Sequence, residues 1–145
     1  MNYRKATQSD IPYFIKFRKA LLKRENDNSI DVELASYFKN AMEDGMTILW
    51  VAEENGVVVS SVLLGVMQMV PRFDNSSGKV AYLTNMYTLP EYRRRGIATE
   101  LMTNVIQVAK TQGIKKILLH SSEAAKSVYE NLGFDEGTNY YVMKL

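Results

Sequence analysis

The chain has 145 residues, 46% hydrophobic and 23% charged, with a formal net charge of +2; this is room for one domain with a sizeable core, residues 1–145 reading as that single domain. No apolar run of about 18 residues occurs, so nothing reads as a membrane span. A charge this small, mixed along the chain, does not point to nucleic acid as the main partner, and the absence of cysteine with a single histidine leaves no disulfide, thiolate nucleophile or Cys/His metal cluster to propose.

The first residues, "MNYRKATQSD", lack the apolar core of a signal peptide, and the expected home is a reducing cytoplasm. Residues 2–6 read as a short strand. Thr7, Ser9 and Asp10 are cap candidates for a helix reaching about Glu25, in which Ile11, Phe14, Ile15, Phe17, Leu21 and Leu22 recur at helical spacing. Pro12 falls in the first turn, where its missing N–H costs nothing. A polar connection, Arg24 to Ser29, leads to a second helix over residues 30–43, with Val32, Leu34, Ala35, Phe38 and Met42 apolar and Gly45 near its end.

Two β-rich runs follow, "MTILWVAEE" and "VVVSSVLLGVMQMV", with Asn55-Gly56 between them, a hairpin signal because both residues accept positive φ. Pro71 to Gly78 is a loop and Lys79 to Leu89 a strand. Residues 95–112 carry Ile97, Leu101, Val105, Val108 and Ala109 on one helical face, closed by Gly113. "KKILLH" reads as a strand, and a helix capped by Ser121 or Ser122 runs to about Leu132 before Gly133. The tail, "FDEGTNYYVMKL", reads as one or two strands around a turn at Glu136-Gly137. This order gives an α/β or α+β domain: a mixed sheet of six or seven strands flanked by about four helices. The strands at 79–89 and 115–120 are parallel neighbours joined by a right-handed crossover.

The stretch "PEYRRRGIATELM" (Pro90 to Met102) sits at a strand-to-helix junction. Such a junction points unpaired N–H groups one way, and the helix dipole adds positive potential. Gly96 and Ala98 keep side chains out of the way, so the junction suits a phosphate. A solvated surface turn and a nucleic-acid patch are the other readings of the same arginines.

This chain resembles the GNAT superfamily of N-acetyltransferases. Arg93-Arg94-Arg95-Gly96-Ile97-Ala98 is similar to the family's Arg/Gln-x-x-Gly-x-Gly/Ala signature, and "AAKSVYENLGF" (Ala124 to Phe134) to its Ala-x-x-x-Tyr-x-x-x-Gly-Phe helix, in the family's order. The resemblance implies acetyl-CoA as donor and no metal. The diphosphate would rest on the amides from Arg94 to Ala98 and on Thr99, with the Arg93 and Arg94 side chains helping. The pantetheine arm would pair with the backbone of Met86, Tyr87 and Thr88, and Ser122, where many relatives carry asparagine, would stand beside it. The central parallel strand pair would splay apart and hold the thioester in the gap.

The implied reaction is direct attack of an amine on the thioester. Its carbonyl oxygen gains charge and needs donors, for which N–H groups freed by a bulge near Met86-Tyr87 are candidates. Tyr129 is the expected acid for the departing thiolate. The amine must be neutral. A lysine side chain is neutral about once in a few thousand molecules at pH 7, an α-amino group about a tenth of the time. His120 is the candidate base, with a structural histidine the competing reading; Glu91, Glu123 or a water chain are further candidates. Asn85, polar amid "YLTNMYTL", should find a partner if buried. The acidic connection of Glu25, Asp27, Asp31 and Glu33 is either an attractor for a cationic acceptor or a solvated loop. The acceptor is otherwise unspecified, a small molecule or a protein amine. Exposed edge strands leave a homodimer open, and a non-catalytic acyl-CoA-binding domain of the same fold is the alternative function.

Overall fold

The computed structural model describes residues 1–137 and 141–145. Strand β1 (Asn2–Lys5) is followed by a 3₁₀ turn (Gln8–Asp10) and helices α1 (Ile11–Leu21) and α2 (Asp31–Glu43). Strands β2 (Ile48–Glu54), β3 (Val57–Gln68) and β4 (Lys79–Thr88) come next, then a 3₁₀ turn (Pro90–Tyr92) and α3 (Ile97–Thr111). Strand β5 (Lys116–Leu118), a 3₁₀ turn (Glu123–Ala125) and α4 (Lys126–Asn131) complete the order. The described strands form one sheet, β1-β2-β3-β4-β5, antiparallel except for the β4–β5 pair, which is parallel as the α3 crossover requires.

Each face of the sheet carries its own core. Val62 and Leu64 of β3, with Ala81 and Leu83 of β4, meet Leu101, Met102 and Val105 of α3 and Tyr129 of α4. On the other face, Leu49, Val51 and Leu63 meet Phe14 and Phe17 of α1 and Phe38 of α2. With both faces covered, β2 and β3 read as nearly continuous apolar runs, not alternating ones. Asn55 and Gly56 turn the β2–β3 hairpin with φ of 52° and 79°, as their sequence signal requires.

The first helix ends at Leu21, short of Glu25, and neither Ser121 nor Ser122 caps the 3₁₀ turn before α4 with its side chain: the Ser121 hydroxyl donates to the Ser122 carbonyl at 2.7 Å. The described sheet has five strands, not six or seven. The difference lies in the tail, where residues 134–137 and 141–145 join no strand; the rest of the expected tail strand lies at 138–140, outside the described residues. Tyr141, Val142, Met143 and Leu145 stand exposed, so a β-like pattern there has no packed face to specify it.

The N-terminal strand is fixed by ions rather than length. Buried Asp10 accepts two hydrogen bonds from the Arg4 guanidinium, at 2.8 and 3.0 Å, and one from the Thr7 amide at 2.8 Å, while Arg4 also donates to Glu53 on β2. Burial by itself would raise the Asp10 carboxyl, but these donors win and hold it below the ordinary carboxylate range. A depressed folded pKa contributes stability above the unfolded value of about 3.9, and that stability is lost as pH falls through the folded value. Asp10→Asn is expected to cost about 1.5–3 kcal/mol at pH 7. In thermal melts the gap between wild type and variant should close in acid; a gap unchanged from pH 7 to pH 3 would refute the assignment.

Candidate active site

Beyond the Tyr82–Leu118 pair the parallel ladder ends, while β4 runs on to Thr88. From Leu83 onward, β4 keeps β3 on one edge and has no strand on the other among the described residues. This is the splay that the resemblance implies. A bulge sits inside it. Leu63 opposes Thr84 but Ser61 opposes Tyr87, so β4 carries one residue too many, and Asn85 takes up the excess at a φ of 55°. Asparagine tolerates this left-handed conformation better than most residues. The Asn85 carbonyl accepts the Ser61 hydroxyl at 3.1 Å, and its side-chain amide donates to the Phe14 carbonyl at 3.4 Å, tying the bulge to α1. Its Oδ1 is buried without a partner among the described residues, so the expectation of a partner is met by one half of the side chain only.

After β4 the chain turns through Pro90–Tyr92 into α3. Leu89 donates to the Val59 carbonyl at 2.9 Å, and buried Ile97 packs with Ala52 and Val59, so both ends of the turn are fastened to the sheet. Between them the backbone alternates: Arg93 is extended, Arg94 has φ of 58°, and Gly96 has φ of 76° at the N-cap of α3. None of the backbone N–H groups from Arg94 to Thr99 meets an acceptor among the described residues. Together with the start of a 15-residue helix, this is a concave group of donors suited to an anion. A Cβ built on Gly96 would meet nothing within 4 Å, so the space over the turn is open.

The three arginines divide. Arg93 donates from Nε to the Thr88 carbonyl at 3.0 Å and lies over the Tyr87 ring, bracing the turn. The Arg95 side chain pairs with Glu54 at 3.1 Å and stacks on Tyr92, so only its amide faces the open turn. Arg94 is exposed and carries no ion pair among the described residues. Thr88 shares a hydrogen bond with Ser60 at 2.9 Å, and the Tyr87 carbonyl accepts from Ser60 at 2.7 Å, which holds the β4 edge in place.

Tyr129 is buried in the α3-side core, the same cluster that Met86 packs against, and its ring meets Phe134 edge-on at 5.8 Å. Its hydroxyl has no hydrogen-bond partner among the described residues, and burial pushes its pKa up. His120 stands two residues past the end of β5, exposed, with Nδ1 hydrogen-bonded to the Tyr82 hydroxyl. Ile117 and Leu119 pack on the α3 side, so the alternation of β5 puts His120 on the opposite face from Tyr129. The two candidate proton carriers thus flank the splay from its two sides. Ser122 is exposed, at the start of the 3₁₀ turn ahead of α4. Of the acidic connection, Asp31 pairs with buried Lys19 at 3.1 Å and Asp27 accepts from the Ser29 amide at 2.9 Å.

Tyr82 and Arg18 were not marked by the sequence. Arg18 donates from Nη1 to the Thr84 hydroxyl at 3.3 Å, next to the bulge. Tyr82 became visible only through strand register, which no local pattern carries.

Among the described residues, an open-edged strand with a bulge thus leads into a turn of unpaired amides at a helix start. Comparison with known proteins gives this chain its family. The acetyltransferase (GNAT) family model matches residues 14–134. An uncharacterized N-acetyltransferase, YhfO, of Bacillus subtilis is 27% identical over 97% of this chain and 93% of its own. The glucosamine 6-phosphate N-acetyltransferase of Trypanosoma brucei brucei is 28% identical over 71% of this chain and 69% of its own. The crystal structure of a predicted acetyltransferase from Clostridium acetobutylicum with acetyl-CoA superimposes with a TM-score of 0.89, at 34% identity over 99% of this chain and 95% of that one. The chain belongs to the GNAT family of acetyltransferases and is an acyltransferase. No helix among the described residues is long and apolar enough to cross a membrane.

Proposed function

We propose that this protein moves an acetyl group from acetyl-CoA to a primary amine by direct attack. The observation that carries the reading is the row of amides from Arg94 to Thr99, unpaired among the described residues, that follows in the chain on the open edge of β4. The residues fit the donor. The open turn at Gly96 accepts a diphosphate, with Arg94 free to approach it. The edge at Met86, Tyr87 and Thr88 offers backbone donors and acceptors to an amide-containing arm. The bound thioester supplies an activated acyl carbon.

The protein's own groups do the rest. The N–H groups beside the Asn85 bulge stand preorganised for the charge that develops on the carbonyl oxygen. Tyr129, a phenol protonated at neutral pH and kept so further into base by burial, donates a hydrogen bond and then a proton to the departing sulfur. His120 takes the proton of the incoming amine from the opposite face. The hydrogen bond between Nδ1 and the Tyr82 hydroxyl orients the ring for that role. His120→Gln should lower kcat/KM by about 10²-fold for a lysine-like amine and by less for an α-amine, which is already partly neutral at pH 7. Equal, small losses on both would remove histidine from the mechanism.

A relative named for glucosamine 6-phosphate and another solved with acetyl-CoA support an amine acceptor and this donor. The test is release of free thiol from acetyl-CoA against a panel of amines. Amine-dependent release supports transfer. CoA binding with no release on any amine would make the chain an acyl-CoA-binding module instead.

A further inference from the structure

Two arginines of the described chain are half-buried, Arg4 and Arg18. Arg4 holds two carboxylates, Asp10 and Glu53. Arg18 holds none among the described residues, and its one recorded hydrogen bond is the 3.3 Å contact to the Thr84 hydroxyl. The acid near enough to share its electrostatic neighbourhood at Tyr37, Asp44, is already engaged by the Met46 and Thr47 amides and the Thr47 hydroxyl. A guanidinium has five N–H donors in a flat fork matched to carboxylate or phosphate. Arg18 therefore keeps most of its donors uncommitted in a partly desolvated place.

That place is the α1 side of the splay. Leu118 is 40% exposed and His120 is exposed on this face, so α1 and α2 leave the β5 end of the sheet uncovered. Tyr82 and Thr84 of β4 share this face with Leu118 and His120, Tyr82 lying beside Leu118 in the sheet and bonded to His120, and Arg18 reaches Thr84 from α1. Thr84 directly precedes the bulge residue Asn85. One or two residue steps along a strand are about 3–7 Å, so an anion on Arg18 sits within a small molecule's reach of the gap.

We propose that Arg18 is a specificity residue: it binds an anionic oxygen group, carboxylate or phosphate, on a compact acceptor whose amine points into the splay beside His120. The substrate class is a small amine that also carries negative charge. This rests on the acetyl-transfer reading above. Lys19, its neighbour, is committed to Asn28 and Asp31 and does not share the role.

The experiment compares wild type with Arg18→Gln and Arg18→Lys on matched acceptors: common L-amino acids against their carboxamides, and phosphoethanolamine against ethanolamine. Turnover is followed by thiol release, and binding to the CoA-saturated protein by calorimetry. Wild type should favour one anionic series over its neutral partners. Arg18→Gln should lose about 10–100-fold in kcat/KM on that series and no more than about threefold on the neutral one, with Arg18→Lys between, since a lysine keeps the charge without the fork. Preference for amino acids or for the phosphate ester identifies the anion. Arg18-dependent binding of an anionic amine without thiol release keeps the anion site and overturns acetyl transfer. Turnover without discrimination, equal losses on both series, or no binding of any anionic probe overturns the anion site.

Discussion

Gly96→Glu is expected to weaken CoA binding at least about 100-fold, some 2.7 kcal/mol, while leaving a folded protein. Two terms act together. The residue has φ of 76°, where a side chain costs about 1–2 kcal/mol of backbone strain. A carboxylate placed over the unpaired amides would also occupy them and repel a diphosphate. The strain should lower the melting temperature by only a few degrees, because the added Cβ meets no protein atom within 4 Å. Gly78 offers the contrast. A Cβ there would lie 2.2 Å from the Met69 carbonyl oxygen, so its replacement should damage the β3–β4 connection itself. Calorimetric titration with CoA, paired with a thermal melt, separates the two cases. A folded Gly96→Glu protein with unchanged CoA affinity would remove the turn from the site.

Tyr129→Phe is expected to lower kcat by about 10²-fold or more with little change in CoA affinity or stability. The stability side follows from the packing. The ring's edge-on contact with Phe134 survives the change, and the hydroxyl has no hydrogen-bond partner among the described residues to lose. Burial raises the phenol's pKa, so it stays a proton donor through neutral pH and beyond its ordinary value of about 10. Loss of the hydroxyl should therefore lower the rate evenly from pH 7 to 9, without creating a new inflection. A rate within about threefold of wild type would leave Tyr129 as a packing residue.

The architecture was legible where local chemistry dictates conformation. Asn55-Gly56 signals a hairpin because both residues accept positive φ, and Gly96 signals a turn at the start of an apolar-faced helix, where it takes φ of 76°. The bulge near Met86 follows from the family resemblance and from no local pattern; its site, Asn85, and its anchor on Phe14 depend on tertiary packing. Of the tail strands expected around Glu136-Gly137, residues 141–145 join no strand and 138–140 lie outside the described residues. The division of labour among Arg93, Arg94 and Arg95 was not legible either, since the partners that occupy Arg95, Glu54 and Tyr92, lie on separate elements. Arg18 was hidden for a related reason. It borders the Phe14–Phe17 face of α1, and only the fold shows that β4 beneath it has lost its neighbour.

The central claim is that main-chain amides at the start of α3 grip the coenzyme's diphosphate. Amide nitrogen–proton spectra recorded during a CoA titration test it residue by residue. The account predicts that the signals of Gly96, Ile97, Ala98 and Thr99 move furthest and saturate together with those of Met86 to Thr88. Saturable CoA binding that leaves those four signals in place would contradict it.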